Sequence, residues 1–93
     1  WLMDKILEKA NELSDAIKET PEVKEYLRLK DLLEKDESLK ELRNNIASLT
    51  AQNKLEERDN LLKIYNSNPL VNNYEIAKEN VKALLKTVAD ILR

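Results

Sequence analysis

The 93-residue chain contains no glycine. Glycine is the residue that most readily adopts a left-handed backbone conformation, and it commonly ends helices and forms tight turns. A chain without it must end its helices at proline, asparagine, aspartate, serine or threonine. The same absence excludes the phosphate-binding motifs GxxxxGK[ST] and GxGxxG, because their backbones need glycine beside the phosphate.

Cysteine and histidine are also absent. The chain therefore lacks the usual ligands of zinc, haem and iron–sulfur clusters, and a Ser-His-Asp triad is impossible. The densest acidic cluster lacks the spacing and the glycine turn of an EF-hand, so we interpret it as charge that favours a helix start. We expect no catalytic, cofactor-binding or metal-binding residues. The acidic cluster consists of Glu34, Asp36, Glu37 and Glu41.

The charge balance is close to neutral, with 16 basic and 18 acidic residues. It provides no basic field for nucleic acid, and no apolar run approaches the roughly 18 residues of a membrane span. No signal-peptide pattern is present. Lys78, Lys82 and Lys86 could contact phosphates, but acidic neighbours three or four residues away favour a solvated face with local ion pairs. We expect a cytoplasmic protein that binds neither nucleic acid nor membrane.

Three positions carry helix-start signals. Thr20-Pro21 and Asn68-Pro69 each place a capping side chain before a proline at the first helical position, and Asp36 can cap a third helix. A residue before proline is also disfavoured in helical torsions, so preceding helices should end there. The predicted helices cover residues 2–19, residues 21–35, a segment that begins at 37, and residues 69–93.

The middle of the chain allows two interpretations. The apolar pattern of the third helix reaches Leu49, but Leu55, Leu62 and Tyr65 do not continue it in phase. Either the chain turns at residues 51–53, or the helix continues through a three-residue phase shift. We favour the turn slightly.

The second and last helices begin alike, with Pro21 and Tyr26 in one and Pro69 and Tyr74 in the other. Similar helix starts often use similar residues, and that is the simpler interpretation. The alternative is that the two helices have equivalent roles in a pseudo-symmetric bundle.

Apolar residues recur every three or four positions in the first and last helices, which indicates faces that pack against other helices. The sequence therefore predicts an all-α single domain over residues 1–93: a bundle of about four helices with long antiparallel helices, completed by dimerisation. We expect the last helix to pair with the first helix or with a second copy, or else to form only core within the chain. The predicted interface residues are Tyr74, Ala77, Val81, Leu84, Val88 and Ile91.

The chain resembles the YlbF/YmcA/YheA family of small helical bacterial proteins. The similarity is concentrated in residues 68–77, which begin Asn-Pro-Leu-Val and lead into the leucine-rich last helix, and in residues 10–20 of the first helix. Val23, Tyr26, Asp36 and Leu42 extend it through the middle of the chain.

This resemblance implies a non-enzymatic regulatory subunit that binds proteins. Some members belong to a complex that directs endoribonuclease-dependent mRNA maturation and affects cell fate. The expected partners are a second copy of the chain, other helical regulators or an endoribonuclease. Those members can bind iron–sulfur clusters through cysteines, which this chain lacks.

A structural helical adaptor that only self-associates, with no role in RNA processing, is the main alternative. A small helical enzyme of the chorismate mutase type is disfavoured, because the first helix lacks the arginine that would hold a substrate carboxylate.

Overall fold

The computed structural model describes residues 1–93 and contains five helices and no strand. The all-α prediction is confirmed. The count of about four is too low by one, because the segment that begins at residue 37 forms two helices separated by the favoured turn. The helices are α1 (Leu2–Lys18), α2 (Pro21–Lys35), α3 (Glu37–Ala51), α4 (Leu55–Asn66) and α5 (Pro69–Ile91).

Thr20 forms the joint between α1 and α2. Its hydroxyl donates a hydrogen bond to the carbonyl oxygen of Ile17 at 2.6 Å and accepts one from the amide of Val23 at 3.4 Å. One side chain thus caps the first turn of α2 and adds a second hydrogen bond to the Ile17 carbonyl, which also accepts the Thr20 backbone amide at 3.1 Å. Because only Glu19 and Thr20 separate the helices, this joint restricts the angle between them.

The joints before α3 and α5 use the other two predicted caps. The Asp36 carboxylate accepts a hydrogen bond from the Leu39 amide at 2.9 Å, and the Asn68 side chain accepts one from the Leu70 amide at 2.8 Å. Both caps have extended backbone torsions, as N-cap residues should. All three predicted helix starts are therefore confirmed.

Asn53 replaces glycine at the turn between α3 and α4. It is the only residue with positive φ, at 58°. Its amide donates to the Thr50 carbonyl, and the next amide, of Lys54, donates to the Leu49 carbonyl. These two bonds form a Schellman motif, whose left-handed position is usually glycine and sometimes asparagine. The predicted turn is confirmed, and a continuous helix with a three-residue phase shift is excluded.

The core lies where α2, α3 and α5 meet. Leu33, Leu39 and Val71 form a buried cluster, and partly buried side chains from α3, α4 and α5 pack against it. Tyr26 precedes Leu33 in α2, and its ring contacts that of Tyr74, which follows Val71 in α5. The partners therefore run in opposite directions along the two helices, and α2 and α5 are antiparallel, as predicted.

Helix α1 extends away from this core. It contacts only α2, and no Cα atom of α1 lies within 8 Å of one in α5. The chain measures 57 × 25 × 23 Å, and its radius of gyration is 18.4 Å. A compact chain of this length would have a radius of gyration of about 12 Å. The isolated chain is therefore elongated, and much of its apolar surface is left uncovered.

Candidate interaction surface

The predicted interface on α5 divides into two parts. Ala77 is buried and Tyr74 is half-buried; both lie in the stretch of α5 that packs against α2. Towards the end of α5 the side chains become more open: Val81, Leu84 and Val88 are half-buried, and Ile91 is 75% exposed. The first part of the stripe is thus core within the chain. The second part, together with the exposed Leu85 and Leu92, is an available apolar surface, which we call the distal α5 face.

The apolar face of α1 is the larger uncovered surface. No residue of α1 is buried, and Ile6 is 56% exposed. The sequence pattern predicted an apolar face on the first helix, but it did not show that the chain itself would leave this face open. The structure shows it, because no Cα atom of α1 lies within 8 Å of one in α5. The α1 face consists of Leu2, Met3, Ile6, Leu7, Ala10, Leu13 and Ile17.

Tyr26 and Tyr74 link α2 to α5. Their rings stack with centroids 5.5 Å apart and an interplanar angle of 27°. Interaction with the Tyr26 hydroxyl, with partial burial as a second cause, raises the pKa of Tyr74 to about 12. Tyr26 and Tyr74 are the tyrosines that occupy the same position at the similar starts of α2 and α5. Since they meet each other across an antiparallel helix pair, the two helices have equivalent positions, which favours the pseudo-symmetric interpretation of the repeat.

A shallow open notch of about 180 Å³ lies beside this pair, between α2 and α5. Glu25 at its edge is held by Arg28 through two hydrogen bonds of 2.6 and 3.0 Å, and this contact lowers the pKa of the carboxyl group. The notch is large enough for one side chain of a partner, and no titratable group other than Glu25 lines it. Its lining residues are Glu25, Leu29, Asn73, Ile76, Ala77 and Asn80.

The lysine row on α5 carries local ion pairs. Lys78 lies 3.9 Å from Glu75, and Lys82 lies 3.4 Å from Glu79. The predicted solvated face is confirmed for these two lysines. Exposed pairs of this kind contribute only a few tenths of a kcal/mol each.

The predicted acidic cluster has a structural role at Asp36, whose carboxylate caps α3. Its carboxylates form no group of three or more that could hold a metal ion. The iron–sulfur cluster of some related proteins does not fit this chain either, because no residue can supply a thiolate.

None of the five helices combines the length and the hydropathy needed to cross a bilayer.

Comparison with protein families identifies the chain over nearly its full length. Residues 6–93 match the family model described as "Control of competence regulator ComK, YlbF/YmcA". The matched range includes most of the α1 face and all of the distal α5 face up to Leu92. Searches of curated proteins and of solved structures gave no significant match. An all-helical chain that matches this model from residue 6 to residue 93 belongs to the YlbF/YmcA family, a family of regulators.

Proposed function

We propose that the protein is a non-enzymatic regulatory subunit that acts by binding other proteins, in the manner of YlbF-type regulators of mRNA processing and cell fate. The family match over residues 6–93 carries this proposal. The match includes all of α2 to α5 and most of α1, so the proposal applies to the whole helical fold and not to a single motif.

The uncovered surface supports this proposal. Apolar patches that a chain leaves open commonly mark protein interaction sites. Here the α1 face and the distal α5 face are open, and the notch beside Ile76 offers a third position for a partner side chain. The proposed partners are a second copy of the chain, related helical regulators and an endoribonuclease, with the protein acting in the cytoplasm.

The test is performed in the source cell. The gene is deleted, transcript ends are mapped across the transcriptome, and the tagged protein is captured and its partners identified by mass spectrometry. We expect altered cleavage at a defined set of transcripts and recovery of an endoribonuclease or of related helical regulators. Unchanged transcript ends, together with recovery of the protein alone, would contradict the proposal and favour the structural adaptor.

Two variants serve as a matched control for capture. Ile6→Lys and Glu8→Lys each introduce one lysine on α1, at exposed positions. Because successive helical residues are about 100° apart, these two positions lie on nearly opposite sides of the helix. Loss of a partner with Ile6→Lys alone would assign that partner to the α1 face. Loss with both variants would indicate a general effect of charge.

A further inference from the structure

We propose that Tyr26 and Tyr74 form an oxidative modification site, at which a one-electron oxidant joins the two rings by a carbon–carbon bond and so links α2 to α5 covalently. The oxidant class is hydrogen peroxide activated by a haem peroxidase, which removes single electrons from phenols. The site lies at the α2–α5 contact, and its chemistry does not depend on the proposed regulatory function.

The stacking of the two rings brings the reacting atoms together. The ring centroids are 5.5 Å apart, and the ring planes differ by 27°. The two hydroxyl groups also interact, and this interaction is the main cause of the raised pKa of Tyr74. Two nearly parallel rings with neighbouring hydroxyl groups bring together their Cε atoms, which flank the carbon that carries the hydroxyl. Tyrosyl radicals couple at Cε, so this pair is held close to the geometry that the reaction needs.

The coupling step balances with peroxide as the only other reactant. Each ring gives up one electron and its hydroxyl proton, which leaves two phenoxyl radicals with unpaired density on Cε. A bond forms between Cε of Tyr26 and Cε of Tyr74. The hydrogen on each of these carbons then moves to the oxygen of the same ring, which restores both phenols. The two electrons and two protons reduce one molecule of peroxide to two molecules of water, and the chain loses two hydrogen atoms.

No thiol competes for the oxidant, because the chain has no cysteine. Thiolates are among the side chains most susceptible to oxidation, and here that route is closed. Met3 can take up oxygen as a sulfoxide, which joins no two side chains. Coupling between side chains depends on which aromatic rings touch, and the one stacked pair is Tyr26 and Tyr74. The coupling reaction is therefore directed to this pair.

Tyr65, the third tyrosine, provides an internal comparison. Its ring packs against the core cluster and stacks with neither of the other two. Tyr65 is nearer than Tyr26 to Tyr74 along the chain, so an unfolded chain should join Tyr65 to Tyr74 more readily, because a shorter loop closes at a lower entropic cost. The folded structure reverses this order, and the choice of partner reports the packing of α2 on α5.

The position of the pair gives the link a structural consequence. Both rings are half-buried, so their neighbours hold them in place while part of each ring stays open to solvent. The link would close a loop that contains all of α3 and α4. A covalent bond across a long loop stabilises a fold mainly by restricting the unfolded chain, as a disulfide does. Oxidation would thus fix α2 and α5 together in a chain that can form no disulfide.

The first experiment treats the purified protein with hydrogen peroxide and a haem peroxidase and analyses a trypsin digest by mass spectrometry. Trypsin releases Tyr26 in residues 25–28, and it releases Tyr74 together with Tyr65 in residues 64–78. We expect these two peptides to be joined with the loss of two hydrogen atoms. In concentrated urea the yield of joined peptides should fall at least about tenfold, because the rings are no longer held together. No joined product, or an equal yield in urea, would overturn the inference.

Variants identify the joined rings. Tyr26→Phe and Tyr74→Phe should each abolish the joined peptides, whereas Tyr65→Phe should retain the yield of the unmodified protein. Because Tyr65→Phe leaves only Tyr26 and Tyr74, a joined product in that variant identifies the pair directly, even if another variant fails to fold. Loss of the product in Tyr65→Phe would overturn the inference.

An equal mixture of isotope-labelled and unlabelled chains shows whether the link lies within one chain. The mixture is unfolded and refolded before oxidation so that any associated chains exchange. We expect joined peptides that are wholly labelled or wholly unlabelled. Products with one labelled and one unlabelled part, at the frequency of random pairing, would place the two rings in different copies and contradict the link between α2 and α5 of one chain.

Discussion

Tyr26 of α2 and Tyr74 of α5 stack across the antiparallel helix pair, with ring centroids 5.5 Å apart. Each is the sixth residue of a helix that begins with proline, so two similar sequence segments meet at their equivalent side chains. Offset aromatic stacking adds to the free energy gained by burying the rings. The stack joins the two halves of the chain close to the buried cluster formed by Leu33, Leu39 and Val71.

We expect the tyrosine pair to make stability depend on alkaline pH. The pKa of Tyr74 is raised from 10.0 to about 12, chiefly through its interaction with Tyr26. The folded state therefore keeps a proton that the unfolded chain loses, and the free energy of unfolding should fall as pH rises from about 10 to about 12. Tyr74→Phe should reduce this slope, as measured by urea unfolding at several pH values.

Tyr65→Phe is a useful comparison, because the Tyr65 ring packs against the core cluster without belonging to the stacked pair. Its slope between pH 10 and 12 should stay closer to that of the unmodified protein. An unchanged slope in Tyr74→Phe would show that the stack does not govern this pH dependence.

Leu39→Ala should strongly destabilise the fold. Leu39 is 3% exposed and contacts the other members of the buried cluster, so the truncation leaves a cavity where α2, α3 and α5 meet. We expect a loss of about 2–5 kcal/mol in the free energy of unfolding. Leu27→Ala removes the same atoms from a side chain that is 50% exposed and should cost much less. Chemical denaturation of both variants measures the difference, and equal losses would contradict this assignment of the core.

Local signals in the sequence were enough to predict most helix boundaries. Thr20, Asp36 and Asn68 each form a cap with atoms only two or three residues away, so the pattern that predicts the cap also contains its partners. The division of the α5 stripe was not predictable in this way. Ala77 is buried because α2 lies beside it, whereas Ile91 extends past the start of α2 and remains exposed. That difference depends on the relative placement of distant helices, which periodicity does not encode.

The α1 face shows the same limit more clearly. Its spacing predicted an apolar stripe, and the stripe is present, but whether α5 of the same chain covers it depends on how α1 and α5 are placed, and the two helices do not meet. A sequence pattern indicates that a face needs a partner without indicating which partner. What the pattern leaves open is decided by tertiary placement: α1 does not contact α5, and Ile6 is 56% exposed.

Asp36→Ala should destabilise the junction of α2 and α3. Asp36 is the only residue between the two helices, and its carboxylate accepts the Leu39 amide at 2.9 Å. Loss of such a cap typically costs about 0.5–2 kcal/mol. Asp36→Asn keeps an oxygen acceptor at the same position and should retain most of the stability. Thermal unfolding of the two variants makes the comparison, and a loss of similar size in both would assign the effect to charge and not to capping.

Arg43→Met should be neutral or stabilising. The Arg43 side chain is half-buried on α3, and its Nη1 atom is buried without a hydrogen-bond partner. An unsatisfied buried donor costs about 1–3 kcal/mol, and methionine removes it while filling a similar volume. Arg58→Met provides the contrast, because the Arg58 guanidinium pairs with Asp59 at 2.9 Å. Denaturant midpoints of the two variants would show which one loses more stability. A clear loss in Arg43→Met would indicate that the Arg43 guanidinium has a stabilising contact.

Position 53 is where a glycine should do most to stabilise this glycine-free chain. Its φ of 58° is left-handed, which costs a residue with a Cβ atom about 1–2 kcal/mol, although asparagine tolerates it better than most. Asn53→Gly should therefore match or exceed the stability of the unmodified protein, and Asn53→Ala should lose about 1 kcal/mol. Gln52→Ala is the neighbouring control, because Gln52 has an ordinary φ of −84°. Unfolding midpoints for the three variants should place Asn53→Ala lowest; if it equals Asn53→Gly, the turn does not require the left-handed conformation.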